Sequence, residues 1–445
     1  MGFFDKVDQS RLTGRLALLI VLAAMGLFID GFDLNEISVA NQIVLHGLFS
    51  ETTLHYGLVN ISAFIGMALG GLVLGYIADR RGRNLVFALD LVFFTVFGIL
   101  SGLANNWWEL FIFRFLMGVG IGGDYPVSST ILSEFAPKMN RGKILMLMVG
   151  FYWVGILVST GISYALIQAF GVDYWRYLFI ISGLIAVPVI LFRFEIPETP
   201  RWLKSKGRTE EAISSMEKIG SVESNPAPAG MKPSGGFLGS MPRNIAMSAL
   251  FVFSAWFLFD LASYPVGFYL PSVLFQQLGF GVHVSTQQIL LELSVFGAII
   301  AVGAIVGYII AILIVDRIGR RLLTIAGFAA MTALLAIYVG FSITGGNVVV
   351  FYFLFVMMEQ WIGAVTLFYP TEIFPTRIRS TMQGTATMIS RIGAIIGIFM
   401  FPYFPSQYWA FVFALLACVA GLIISIILAP ETAGRTLEEA SADAV

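Results

Sequence analysis

Asp30, Asp124 and Asp260, together with Arg114 and Arg391, lie inside long runs of apolar residues. A charge at bilayer depth costs about 3 kcal/mol or more on insertion scales, so such residues face a partner or an internal cavity. The segment 114–135, RFLMGVGIGGDYPVSSTILSEF, concentrates the pattern. Gly118, Gly120, Gly122 and Gly123 strip side chains from a helix face, which lets another helix approach closely. Asp124 and Tyr125 then form a polar pair in a tightly packed wall, the mark of a transport pathway rather than of an inert core. A carboxyl group withdrawn from water holds its proton more readily than one in solution. A neutral Asp260 would donate a hydrogen bond, whereas an ionised one would repel negative charge, so its proton can decide what binds beside it. Arg114 is expected to pair with Asp30 or Asp124. Arg391 is either an anion contact or a gating ion pair. Glu359 and Gln360 fall near mid-depth, and at least one is expected to line a cavity.

The elements that hold these residues are membrane helices. The chain of 445 residues is 58% hydrophobic and 12% charged, against about 25% charged in a soluble domain. Apolar segments recur along its whole length, so the fold class is an all-α, polytopic membrane protein. A net charge of −1 gives no case for nucleic acid, and the single cysteine, Cys418, excludes disulfides and thiolate metal sites. His46, His55 and His283 fall near loops, so any proton carrier in the core must be a carboxylate. The opening MGFFDKVDQSRLTGR is short, mixed in charge and unlike a cleavable signal. No cofactor, metal or nucleophile pattern is present, and Gly118–Gly123 is no nucleotide loop because it sits inside a spanning helix. An enzyme is not expected.

Twelve spans are predicted, at about 15–45, 57–79, 84–104, 109–134, 143–169, 175–194, 243–275, 288–315, 322–343, 347–371, 380–402 and 408–429. Between the two sets of six lies a polar stretch, 195–242. Its first part has helical spacing, and its second part, SNPAPAGMKPSGG, reads as a flexible linker. Lysine and arginine cluster in alternate loops, around 80–83, 138–143, 317–321 and 377–379, which puts both termini and the central stretch in the cytoplasm.

The sequence also repeats itself. Asp-Arg-Arg-Gly-Arg at 79–83 recurs as Asp-Arg-Ile-Gly-Arg at 316–320. Glu134 through Gly142 recurs loosely as 372–380, and Pro-Glu-Thr at 197–199 returns at 430–432. These matches share nearly one offset and imply two related halves, with a substrate site at their interface. The domains are thus 1–194, a six-helix bundle; 195–242, a cytoplasmic loop; 243–429, a second six-helix bundle; and 430–445, a cytoplasmic tail. The charges at the helix ends suit a clamp that breaks as the halves rock: Asp79, Arg80, Arg83, Glu134, Arg141, Asp316, Arg320, Glu372 and Arg379.

Gly-Tyr-Ile-Ala-Asp-Arg-Arg-Gly-Arg (75–83) resembles the loop motif of the major facilitator superfamily. Pro-Glu-Thr-Pro-Arg-Trp-Leu (197–203), Glu-Ile-Phe-Pro-Thr-Arg-Ile-Arg (372–379) and Pro-Glu-Thr-Ala-Gly-Arg (430–435) resemble its sugar-porter branch. The resemblance implies the superfamily's fold and alternating access. Gly-Gly-Asp-Tyr-Pro-Val-Ser-Ser (122–129) and the spacing of Trp256, Asp260 and Tyr264 are most similar to phosphate:proton symporters. By that resemblance Tyr125, Trp256, Asp260 and Tyr264 line an anion site, and Asp30, Asp90 and Asp124 handle protons. Two positions depart from the pattern, Tyr152 for a glutamine and Gly363 for an asparagine, and the sugar porters' paired glutamines in span seven are missing.

The resulting expectation is a proton-coupled symporter of a small, anionic solute, acting as a monomer in the plasma membrane, with inorganic phosphate as the leading substrate. An organic or aromatic acid, or a sugar, is the rival substrate, and a non-transporting nutrient receptor is the rival of another class. The substrate site comprises Tyr125, Tyr152, Trp256, Asp260, Tyr264, Gln360 and Arg391. The coupling set is Asp30, Asp33, Asp90, Asp124, Asp260, Glu359 and Arg114.

Overall fold

A computed structural model describes residues 4–10, 13–40, 53–219, 243–269, 273, 285–341 and 347–441. The predicted linker of the central stretch and the tips of several loops, with His46 and His283, lie outside the described residues. Twelve helices of twenty residues or more run through the described chain: α1 Gly14–Ala40, α2 Thr53–Arg81, α3 Arg83–Gly102, α4 Trp107–Phe135, α5 Arg141–Phe170, α6 Tyr174–Arg193, α7 Arg243–Phe268, α8 Thr286–Ile318, α9 Arg320–Phe341, α10 Asn347–Ile373, α11 Arg379–Met400 and α12 Gln407–Leu428. Shorter helices occupy Asp5–Asp8, Pro200–Ser205, Thr209–Ile219 and Leu437–Ala440. The helical spacing read in the first part of the central stretch is the helix Thr209–Ile219.

Among the described residues ten segments are long and apolar enough to cross a membrane, and one of these, Arg141–Arg193, contains both α5 and α6. The helix outside this set is α11, whose buried face carries Ser380, Gln383, Thr387, Ser390 and Arg391. These positions recur at three- and four-residue steps, so one stripe of a spanning helix is polar and turned inward.

The packing follows the sequence repeat. In the first half α2 lies on α4, α3 on α4 and α6, and α1 on α5 and α6. In the second half α8 lies on α10, α9 on α10 and α12, and α7 on α11 and α12. The halves meet chiefly through α2 against α11 and α5 against α8. Close approach depends on glycine. A Cβ on Gly118 or Gly122 would run into the backbone of Ala63 or Met67 on α2, so the glycine run in α4 brings the two helices to backbone contact.

Candidate functional site

The central cavity, about 200 Å³, lies between the halves. Helices α4, α5, α7, α10 and α11 supply its chemical groups: Tyr125, Tyr152, Asp260, Glu359, Gln360 and Arg391. Trp256 and Tyr264 complete the stripe on α7, because four-residue steps keep side chains on one helix face. All seven expected substrate residues therefore face one space.

Arg391 organises one side of it. The guanidinium is 2% exposed and donates from Nη1 to Asp260 Oδ2 at 2.7 Å and to the Tyr264 hydroxyl at 2.8 Å. Its carbon lies 5.0 Å from the Tyr125 ring centroid, 5.1 Å from that of Tyr264 and 6.0 Å from that of Trp256. Aromatic faces attract a cation, so the rings hold Arg391 without neutralising it. Its Nε has no hydrogen-bond partner among the described residues. Asp30 stands behind Tyr125 and accepts that residue's hydroxyl hydrogen, while its other oxygen is unpartnered among the described residues.

The opposite side is built by α10. The Ser263 hydroxyl donates to Glu359, and Gln360 Nε2 donates to Glu359 Oε1 at 2.9 Å. Gln360 Oε1 accepts from the Trp153 indole at 2.7 Å. Trp153 is thus a hydrogen-bond link between the two halves. Asn35 also lines the cavity and donates to Ser159 and Thr160 of α5. No spacing in α1 distinguishes Asn35 from a loop-proximal polar residue.

The remaining acidic residues lie elsewhere. Asp124 is expected beside the cavity, but its carboxylate faces the interior of the first six helices. Arg193, at the end of α6, reaches Asp124 Oδ1 at 2.6 Å and Asp90 Oδ1 at 3.1 Å, and donates to the carbonyls of Leu22 and Phe87. A Cβ on Gly26 would overlap both Asp124 and Arg193, so glycine in α1 makes room for the triad. Arg114 pairs with neither Asp30 nor Asp124. Its Nη1 lies 3.5 Å from Asp33 Oδ2, both side chains are fully buried, and the Phe179 ring packs on the guanidinium. Arg193 escapes the sequence reading because it looks like a terminal topology charge.

At the end of the molecule where α2, α4, α8 and α10 finish, the repeated motifs form a reciprocal clasp. Asp79 accepts from Ser380 N and Thr381 N at 3.2 and 2.6 Å, at the start of α11, and Asp316 accepts from Lys143 N at 3.1 Å, at the start of α5. Each half thus places a carboxylate on the N-terminus of a helix in the other half, where free N–H groups and the helix dipole favour negative charge. Arg83 joins Asp79 and Glu134 at 3.3 and 3.2 Å, as Arg320 joins Asp316 and Glu372 at 2.7 and 3.0 Å. Arg379 crosses to Glu134 at 2.8 Å. Arg141 pairs with Asp8 at 3.1 Å and donates to the carbonyl of Arg435. Arg80 is the exception to the expected clamp, exposed and resting over the Tyr76 ring.

The repeated Pro-Glu-Thr segments serve the same end. Glu198 accepts from Asn84 N at 3.2 Å and Glu431 from Arg320 N at 3.0 Å, capping α3 and α9 after the positive-φ turns at Gly82 and Gly319. Burial pushes the Glu198 carboxyl above the usual glutamate range, against the pull of its backbone hydrogen bonds. Arg201, whose role the sequence does not disclose, ties Asp8 at 3.2 Å to Glu438 at 2.9 Å. Burial would raise Glu438, but the charge and hydrogen bond of Arg201, helped by a backbone N–H and Arg379, together hold the group below the usual range.

A family model described as "Sugar (and other) transporter" matches residues 19–444. The chain belongs to that family. It is 30% identical to a protein named putative inorganic phosphate transporter 1-13 of Oryza sativa subsp. japonica, over 94% of this chain and 90% of that protein. It is equally 30% identical to the niacin transporter NiaP of Acinetobacter baylyi, over 94% of this chain and 95% of that one. The fold is that of the proton:xylose symporter XylE bound to a bromodeoxyglucose, with a TM-score of 0.78 at 22% identity over 96% of this chain and 98% of that one. The family is one of transporters rather than enzymes, so this is an integral, multi-pass membrane transporter of small molecules.

Proposed function

We propose that this transporter is a proton-coupled symporter of a small organic anion, an aromatic carboxylate, moved by alternating access between two six-helix bundles, 1–194 and 243–429. The bundles are joined by the cytoplasmic loop 195–242, and the chain ends in the cytoplasmic tail 430–445. In this reading both termini face the cytoplasm, the clasp is the cytoplasmic gate, and the carrier works as a monomer in the plasma membrane.

The observation that carries the substrate is the single guanidinium of Arg391 in a cage of aromatic faces, with acids close by. A planar carboxylate can take the fork of an arginine while its ring stacks on the cage. A tetrahedral phosphate needs donors all round. Here Tyr152 and Gly363, at the positions where phosphate symporters carry amides, supply a ring and no side chain, and the Phe259 ring closes over Gly363. The coupling rests on Asp260 and Asp30, which hold and flank the cage. An arriving anion competes with Asp260 for Arg391, and a proton taken up by the displaced carboxyl removes the repulsion. Charge balance then links the two movements.

Inorganic phosphate is the second reading, favoured by Tyr125, Trp256, Asp260 and Tyr264 all lining the cavity and by the relatives named as phosphate transporters. Purified protein in liposomes with an imposed inward proton gradient distinguishes these readings. Labelled benzoate is expected to accumulate and to stop when a protonophore collapses the gradient. Accumulation of phosphate that benzoate does not inhibit would replace the substrate. Uptake indifferent to the gradient would remove the coupling, and no uptake of any solute would favour a receptor. Asp260→Asn is expected to lose gradient-driven accumulation while retaining exchange, and full accumulation in that variant would make Asp260 structural.

A further inference from the structure

The cavity has a second pole. Glu359 lies on α10, is 6% exposed and lines the same space as Arg391. Its oxygens accept from Ser263 and Gln360, both neutral donors. Among the described residues no arginine, lysine or histidine forms an ion pair with it, whereas Asp260, Asp33, Asp90 and Asp124 all have arginine partners. A carboxylate out of water without a cation is costly, so the site holds a proton or receives a positively charged group. Neither of Glu359's protein contacts fills that need.

The two poles line one cavity of about 200 Å³. Arg391 is bound to Asp260 on α7, and Glu359 to Ser263, three residues further along the same helix. Three residues advance about 4.5 Å along a helix axis. Rings of Tyr152, Trp256 and Tyr308 line the same space. A guanidinium, an unpaired carboxyl group and aromatic walls together describe a bipolar, flat ligand.

We infer that the substrate carries a basic nitrogen as well as its carboxylate, the carboxylate going to Arg391 and the nitrogen to Glu359. The class is a small heteroaromatic or amino-substituted aromatic acid. One proton lies between Glu359 and that nitrogen, donated by a neutral Glu359 to a ring nitrogen or by a protonated nitrogen to an ionised Glu359. The inference rests on the proposed reading of Arg391 as the anion contact and adds what the other end of the molecule must be.

Binding of benzoate and of pyridine-2-, 3- and 4-carboxylate to the purified full-length protein tests this, since the probes share ring size and carboxylate and differ only in the nitrogen. At least one pyridine isomer is expected to bind tenfold or more tightly than benzoate, the size of a hydrogen bond to a charged group. In Glu359→Met, similar in bulk but unable to share a proton, the ratio of the two affinities is expected to fall to about twofold or less. Equal affinities in the parent protein would overturn the nitrogen contact even if the variant fails to fold. A preference that survives Glu359→Met would overturn the role of Glu359. Binding of phosphate with none of the four acids would overturn the aromatic-acid reading itself, and this inference with it.

Discussion

The clasp and the cavity use the same residue types to opposite ends. At the clasp, carboxylates are paired with arginines. Asp79 takes two backbone N–H groups, the Thr381 hydroxyl and Arg83, and Glu134 takes Arg83 and Arg379. In the cavity the donors are sparse. Asp30 has one unpartnered oxygen among the described residues, Arg391 an unpartnered Nε, and Glu359 no ion pair. At the clasp every carboxylate has an arginine partner, which ties the halves in one arrangement, whereas among the described residues Glu359 and Asp30 in and beside the cavity have no ion pair and are left for a ligand or a proton to complete. A buried carboxylate without a cation is costly, and the contrast in pairing marks which region closes the molecule and which region binds.

The contrast can be broken most forcefully at Glu134. Glu134→Gln leaves Arg83 and Arg379 buried without their shared carboxylate, a cost of about 3–5 kcal/mol to the clasped arrangement. Spin labels at the exposed positions Met139 and Arg377, on opposite halves, are expected to report a population with a longer separation than in the parent. An unchanged distance distribution would mean that the helix-capping aspartates alone hold the end shut.

A smaller effect is expected at Arg391. Arg391→Lys keeps the charge but loses the planar fork, and is expected to weaken carboxylate binding by about tenfold to a hundredfold, as for a charged hydrogen bond. Unchanged affinity, measured by titration of the purified protein, would show that only a point charge is needed.

The smallest effect concerns the tail. Against burial, Arg201 together with a backbone N–H and Arg379 holds the Glu438 carboxyl below the usual glutamate range. A depressed folded-state value gives stability that is present above the unfolded value, about 4.3, and is lost as pH falls through the folded value. Glu438→Gln is expected to cost about 1 kcal/mol at pH 7, and the difference between variant and parent melting is expected to shrink at acid pH. A difference that persists there would assign the contact to packing rather than charge.

Much of the architecture is legible from the chain. Asp79, Arg83 and Glu134, with their repeats Asp316, Arg320 and Glu372, announce the clasp because the motif spacing recurs. The stripe of Trp256, Asp260 and Tyr264 announces a cavity wall because four-residue steps keep one face. Asp124 and Arg193 are not legible in this way. A helical stripe says which residues share a face, but not whether that face turns to the space between the halves or to a neighbour within one half. Arg193 lies 69 residues from Asp124, and nothing local links them. Trp153 fails for a related reason, since its partner Gln360 is 207 residues away.

By itself the sequence determined what must be hidden from lipid: long apolar helices, repeated in two halves, with a few charges too costly to leave unpartnered. The tertiary structure decided the partners. Pairing of buried charges depends on distances of a few ångströms between helices remote in sequence, so only the packed bundle assigns Arg193 to Asp124, Arg114 to Asp33 and Arg391 to Asp260, and leaves Glu359 facing the cavity without a cation.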